Sequence, residues 1–247
     1  MSNLAFIPAR LGSSRFNRKV LHSIEGKTMI QRVFEGSNTK KLDEIFVTTC
    51  DEEIAEHARS FGASVIMTSN KHERCLDRVA EAYQKFDNKS KDDIVICIQG
   101  DEPLIDKKFV EYFIDEHVKN NYDFSVAAVK IEDLEEFHDP DIVKIIWNEA
   151  NKMIYTSRSP IPFLKEFKKD LAWKIFGMFG FKPDGLIKFN SMESTFLEKI
   201  EQCDTNRICG SSLLVQHVIP YTSNNFYQAI DNKKNLDRVI NILKKNF

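Results

Sequence analysis

Glycine is scarce, 9 of 247 residues. So small a supply leaves little room for repeated glycine-rich phosphate loops, and any glycine inside a motif carries more weight. The five cysteines, Cys50, Cys75, Cys97, Cys203 and Cys209, form no Cys-x-x-Cys pair and have no histidines at zinc-ligand spacing. That argues against both a disulfide framework and a structural zinc site. No run of 18 apolar residues is present, so no segment reads as a membrane span. The stretch Met1 to Arg10 lacks a basic n-region and breaks its apolar run at Pro8, so it does not read as a secretory signal, and the cytoplasm is the expected compartment. An excess of one charge is also missing. With 35 Lys and Arg against 37 Asp and Glu, the formal net charge of −2 argues against a generic nucleic-acid or polyanion binder.

What is present is an ordinary globular composition, 42% hydrophobic and 29% charged, with a surplus of phenylalanine at 19 residues. Short apolar runs alternate with amphipathic stretches through the first half. Leu4 to Pro8, Ile45 to Thr49, Ala63 to Met67 and Ile94 to Ile98 read as buried strands. Between them lie three helices: Met29, Ile30, Val33 and Phe34 after a Thr28 cap; Ile54, Ala55, Ala58 and Phe61 after an Asp51 cap and before Gly62; Val79, Ala82, Tyr83 and Phe86. Continuous apolar strands separated by helices predict a parallel sheet covered on both faces. After residue 105, Asp106 is expected to cap a helix carrying Phe109, Val110, Phe113 and Ile114. Beyond it the strands Phe124 to Ile131, Ile142 to Trp147, Met153 to Thr156, Phe176 to Phe181 and Leu213 to Val218 have fewer helices between them, which predicts a mixed sheet or an appended subdomain. A helix with Leu236, Val239, Ile240 and Leu243 closes the pattern.

In such a sheet, ligands collect beyond the carboxyl ends of the strands. The loop after the first strand offers Arg10, Gly12, Ser13, Ser14, Arg15, Arg18 and Lys19: small residues whose amides can approach a phosphate, and cations that match a triphosphate. It is neither a P-loop nor a dinucleotide fingerprint, and a solvated basic loop fits the same residues. At the end of Ile94 to Ile98 stands Gln99-Gly100-Asp101-Glu102-Pro103. A carboxylate there suits Mg²⁺, and the Gln99 amide suits a base edge, while a helix-leading turn is the plainer alternative. A Mg²⁺-nucleotide site needs both kinds of charge, and the two segments together provide them. Asp231 reads first as a helix cap and second as a metal ligand; Arg158 reads either as a clamp for a substrate carboxylate or as structural. His72 lies near the presumed ligand edge. No Ser, His or Cys arrangement suggests a catalytic triad.

Taken in order, these segments resemble a known family. Ile7-Pro8-Ala9-Arg10, Ser13-Ser14-Arg15, Lys19, Gly26-Lys27-Thr28-Met29-Ile30, Val47-Thr48-Thr49 with Asp51, Met67-Thr68, His72, Asp77-Arg78, Gln99-Gly100-Asp101-Glu102-Pro103, Val143-Lys144 and Ser157-Arg158-Ser159-Pro160-Ile161-Pro162 are similar to the CMP-Kdo synthetases, the 3-deoxy-manno-octulosonate cytidylyltransferases. The resemblance implies a nucleotide-diphospho-sugar transferase-like, Rossmann-like α/β fold with a mixed, largely parallel sheet and a small dimerisation subdomain. It implies one domain, with a nucleotide part to about residue 105, a sugar and dimerisation part over about 106–230 and a final helix over about 232–246. It further implies a homodimer that uses one or two Mg²⁺ ions and converts CTP and a 2-keto-3-deoxy sugar acid to CMP-sugar and pyrophosphate for lipopolysaccharide, capsule or another surface glycan. Carried over by position, Arg10, Gly12, Ser13, Ser14, Arg15, Lys19, Arg78 and Gly100 hold the nucleotide, Gln99 reads cytosine, and Asp101 and Asp231 hold the metal. Arg158, Phe179, Asp204 and Thr205 meet the sugar acid, and Lys19, Asp101 and Arg15 act in catalysis.

The chain departs from the family at four places, one of them before the final helix, where Val-Asp-Thr-Pro-Glu-Asp is reduced to Ile230-Asp231-Asn232-Lys233. Ser-Gly-Thr of the nucleotide loop is Arg74-Cys75-Leu76 here; His-Leu-Gly-x-Tyr of the sugar pocket is Ile175-Phe176-Gly177-Met178-Phe179; Glu-Gln-Leu-Arg is Asp204-Thr205-Asn206-Arg207. Loss of an imidazole and a phenol predicts a less polar acceptor site and a modified ulosonic acid in place of ordinary Kdo. Two other function classes fit less well: a nucleotide-sugar glycosyltransferase, for which Asp101-Glu102 is a poor Asp-x-Asp, and a noncatalytic nucleotide-binding relative.

Overall fold

The structure, a computed structural model, describes residues 1–12 and 16–245. It begins with β1 (Asn3–Pro8), a 3-10 turn at Lys19–Leu21, a two-residue hairpin of β2 (Ser23–Ile24) and β3 (Lys27–Thr28), and α1 (Met29–Ser37). There follow β4 (Glu44–Thr49), α2 (Glu52–Ser60), β5 (Ser64–Met67), α3 (Cys75–Lys85), β6 (Ile94–Ile98) and α4 (Lys107–Lys119). The second half carries β7 (Phe124–Lys130), α5 (Leu134–His138), β8 (Lys144–Trp147), β9 (Met153–Ser157), β10 (Trp173–Phe181), α6 (Pro183–Ser191), α7 (Phe196–Glu201), β11 (Gln216–Tyr221) and α8 (Lys233–Lys245). The main sheet runs β11-β7-β10-β6-β1-β4-β5, with β8 pairing β10 and β9 pairing β8. β6, β1, β4 and β5 are parallel, as are β11 and β7, while β10 runs antiparallel to both its neighbours. The mixed, largely parallel sheet is as expected.

Burial explains the alternation. All five residues of β6 are buried because helices cover both faces of the sheet. One face packs Ile7, Ile96 and Ile98 against Phe109 and Phe113 of α4; the other packs Phe6, Val95 and Phe181 with Val79 of α3 and Phe189 of α6. The phenylalanine surplus sits mainly here. Phe124 stacks on Phe181 at 4.1 Å, and Phe6 on Phe46 at 5.4 Å. Each fully buried ring contributes roughly 1.5–3 kcal/mol.

Local signals behave as chemistry dictates in several places. Thr28 Oγ1 accepts from Gln31 N, Asp106 Oδ1 accepts from Phe109 N, and Gly62 takes φ +87° after α2. Asp51 differs. It occupies the N-cap position of α2 but its side chain makes no cap bond; Oδ2 accepts from Leu11 N at 2.8 Å and anchors the start of the basic loop. Asp231 likewise is not the cap of α8, because Asn232 Oδ1 accepts from Asn235 N at 2.9 Å. β11 begins at Gln216, later than expected, and runs on through Pro220 to Tyr221. As an edge strand it can place a proline N toward its unpaired side without losing a ladder bond. β10 starts at Trp173 and holds Lys174 inside an apolar run, because Glu136 neutralises the ammonium. Helices α5, α6 and α7 go beyond the sparse helices expected in this half; they are short, and α6 opens on Pro183.

Candidate active site

The chain steps from β1 outward to β4 and β5, then returns to the other side of β1 with β6. The switch point therefore lies between β1 and β6, and a cleft of about 760 Å³ opens there, at their carboxyl ends. Arg10 and Gly12 from the loop after β1 and Gln99, Gly100 and Asp101 from the tip of β6 all line it. Ser13, Ser14 and Arg15 lie outside the described residues. Gly100 packs closely: a Cβ there would stand 3.0 Å from the Pro8 carbonyl and 3.1 Å from Ile30 Cδ1.

Lys19 is the hinge of the charged end. Its Nζ donates to Asp101 Oδ2 at 2.7 Å, to Asp231 Oδ1 at 3.1 Å and to the Ile230 carbonyl at 3.1 Å. Burial opposes its charge, but the two carboxylates outweigh this and hold its pKa above the ordinary lysine range. The Ile230 amide donates to the Asp101 carbonyl at 3.0 Å, which ties the segment before α8 to the tip of β6. Asp101 Oδ1 is buried without a hydrogen-bond partner. Two carboxylates thus converge on one cation, and an oxygen of one of them has spare acceptor capacity. Next to them Glu102 turns inward, Oε1 accepting from Gly177 N at 2.9 Å. Burial first, then the Asp101 charge, pushes its carboxyl up to about 8.

At the other end, Gln99 lies over Gly177, where a Cβ would meet Gln99 Oε1 at 2.7 Å. Its Nε2 donates to Cys75 Sγ at 3.1 Å, and Cys75 Sγ donates to Asp204 Oδ2 at 3.4 Å. Asp204 in turn pairs with Arg74 Nε at 3.6 Å. Arg78 reaches the cleft wall, but its Nη1 donates to Thr68 Oγ1 and, at 3.2 Å, to the Ser69 carbonyl. His72 lines the cleft bonded to Glu81.

Along the third wall, Arg158 is gripped by main-chain carbonyls: Nε by Glu201 at 2.8 Å and Nη1 by Pro140 at 2.8 Å. Such partners orient the guanidinium, while the Glu201 carboxylate, whose Oε2 accepts from Arg158 N at 2.8 Å, offsets part of its charge. Thr205 shares a 2.8 Å hydrogen bond with Thr156 Oγ1, so its hydroxyl serves the fold. Phe179 is 3% exposed and Phe176 1%, with Phe176 packed on Phe109 and Tyr227; both belong chiefly to the core, not to an open acceptor surface.

Comparison with known proteins gives the family. The cytidylyltransferase family model matches residues 4–231. The chain belongs to the cytidylyltransferase family. It is 36% identical over 87% of its length to the 3-deoxy-manno-octulosonate cytidylyltransferase of Thermodesulfovibrio yellowstonii, covering 89% of that protein. To the Fusobacterium nucleatum protein of the same name it is 35% identical, covering 100% of this chain and 98% of the other. A solved structure of CMP:2-keto-3-deoxy-manno-octonic acid synthetase complexed with CTP matches with a TM-score of 0.87 and 27% identity, over 100% of both chains. The protein is thus a nucleotidyltransferase of the cytidylyltransferase type, a reading these likenesses favour over a glycosyltransferase or a noncatalytic relative.

Several residues of the cytidylyltransferase cleft escaped sequence reasoning. Lys174 is buried against Glu136 and the Tyr227 carbonyl, 2.7 Å away. A lysine amid Trp173, Ile175 and Phe176 was the available signal. Gln228 lines the cleft with its Oε1 buried and without a hydrogen-bond partner; nothing in its neighbourhood in the sequence marks it. Cys75 stood out only as a departure from the family pattern. Among the described residues no helix is long and apolar enough to cross a membrane.

Proposed function

We propose that this cytidylyltransferase activates a 2-keto-3-deoxy sugar acid with CTP, releasing pyrophosphate and the CMP-sugar in the cytoplasm for surface-glycan assembly. The observation that carries this is the meeting of Asp101, Asp231 and Lys19 at the cleft floor beside the Arg10 loop. The anomeric hydroxyl attacks the α-phosphorus, the bond to the bridging oxygen breaks, and pyrophosphate leaves. Arg10 and Lys19 offset the charge of the triphosphate and of the departing pyrophosphate. Gln99 reads the base, with Gly12, Gly100 and Arg78 around the nucleotide; Ser13, Ser14 and Arg15 are assigned by resemblance to its phosphates, Arg15 also to catalysis.

Asp101 and Asp231 would hold Mg²⁺. Their oxygens suit a hard cation, and Asp101 Oδ1 lacks a partner. Among the described residues no cluster of three or more His, Cys, Asp or Glu forms a dedicated cage. Two carboxylates agree with the usual habit of Mg²⁺, which leaves its other positions to phosphates and water. Bound there, the ion would neutralise phosphate charge and acidify a hydroxyl.

Arg158 turns its oriented charge toward the carboxylate of the sugar acid; Phe179, Asp204 and Thr205 are assigned to the same wall by resemblance alone, since the core, the Cys75 thiol and Thr156 already hold their side chains. Residues to about 105 form the nucleotide part and 106–230 the acceptor and dimerisation part of one domain. The test is pyrophosphate release from CTP in the presence of Mg²⁺ and a panel of 2-keto-3-deoxy acids. Release that requires both the acid and Mg²⁺ is expected, with a modified ulosonate turned over faster than Kdo. Release independent of any sugar acid counts against the activity, and Kdo as the fastest acceptor counts against the modified-acid reading.

A further inference from the structure

A carboxamide has two ends of nearly equal size, and which end faces a base decides whether it donates or accepts. In this cleft the surroundings of Gln99 decide it. Burial pushes the Asp204 carboxyl upward, but its ion pair with Arg74 Nε at 3.6 Å and the Cys75 thiol oppose that shift and favour the charged form. A carboxylate only accepts, so the Cys75 hydrogen points to Asp204 Oδ2, 3.4 Å away. The sulfur then turns its lone pairs to Gln99, and Nε2 meets it at 3.1 Å. Cys97 beside it and burial hold the Cys75 thiol well above the ordinary thiol range, so it keeps its proton. With Nε2 engaged, Oε1 is the end left over Gly177, where the missing Cβ makes room.

We infer that Cys75 is a positioning residue for base selection: the chain Arg74–Asp204–Cys75–Gln99 holds the Gln99 carboxamide with its oxygen toward the base, favouring cytosine over uracil. Cytosine offers an amino donor at position 4 where uracil offers a carbonyl acceptor, and an oxygen pairs only with the first. Asp204 accordingly acts on the nucleotide base through Cys75.

The inference rests on CTP being the nucleotide of the proposed reaction. The test compares wild type, Cys75→Ala and Cys75→Ser for CTP and UTP, by calorimetric binding with Mg²⁺ and by pyrophosphate release. Serine keeps one donor and one acceptor in place, so C75S should hold the wild-type CTP-over-UTP ratio to within a few-fold. C75A should lose about tenfold of it, the weight of one ordinary hydrogen bond, chiefly through weaker CTP binding with kcat little changed. An unchanged ratio in C75A, an equal loss in C75S, or no CTP preference in the wild type overturns the positioning role. A CTP preference in binding that depends on Cys75, without sugar-acid-dependent pyrophosphate release, supports the inference and counts only against the proposed function.

Discussion

Asp101 owes its place to the tip of β6, and the role proposed for it there can be tested apart from folding. Lys19 bonds both Asp101 and Asp231, so replacing one carboxylate by an amide leaves the ammonium a charged partner. Asp101→Asn should therefore cut pyrophosphate release by about 10²-fold or more, since an amide is a poorer ligand for a hard cation, while the melting temperature stays within a few degrees. Turnover near the wild-type level in a folded D101N protein would remove Asp101 from the reaction. At this scale the charged end was legible beforehand: a basic loop and an acidic strand tip announce themselves by residue type. Asp51 and Asp231 were less so. Both precede helices and read as caps, yet one is drawn to Leu11 N and the other to Lys19, because long-range donors outcompete the local amides.

Helix α4 carries a histidine into the sheet, and this fixes a pH dependence. His117 is buried, its Nδ1 bonded to Ser125 Oγ of β7 at 2.7 Å and its Nε2 without a partner. Burial, and then the Lys182 charge, lower its pKa to about 4. The unfolded chain binds this proton from about pH 6.5 downward while the folded chain resists until about 4, so the stability present above pH 6.5 is lost as pH falls across that window, on the order of 3 kcal/mol. His117→Gln keeps a hydrogen-bonding group without the titration. Its melting temperature should fall less steeply than that of wild type between pH 6.5 and 4; parallel curves would exclude His117 as the source. Elements of the first half were legible because each apolar period ends at a cap or glycine. Those of the second half were not: Pro220 and Lys174 interrupt their strands chemically, and only an edge position and a buried Glu136 show why the strands continue.

At the scale of the whole molecule, exposed large apolar side chains are spread along the chain, and Ile154 on β9, Phe163 after it and Leu213 ahead of β11 are three of them. All three fall within residues 106–230, the part proposed to carry a dimer interface. Sedimentation equilibrium should give twice the chain mass, and Ile154→Asp with Leu213→Asp should shift it to the single-chain value. A monomer at all concentrations would count against a homodimer.

Residue type and short-range spacing by themselves determined the α/β class, the strands β1, β4, β5 and β6, the helices α1 to α4 and the candidate charged groups, because helix and strand periods and caps are interactions between near neighbours. Tertiary structure alone decided which of those groups meet. Lys19 and Asp231 are 212 residues apart in the chain, and Cys75 and Asp204 are 129 apart. Their contact depends on sheet order and on where β10 and the segment before α8 return to the tip of β6. No local pattern records that geometry, so the orientation of Gln99 could be read only from the folded chain.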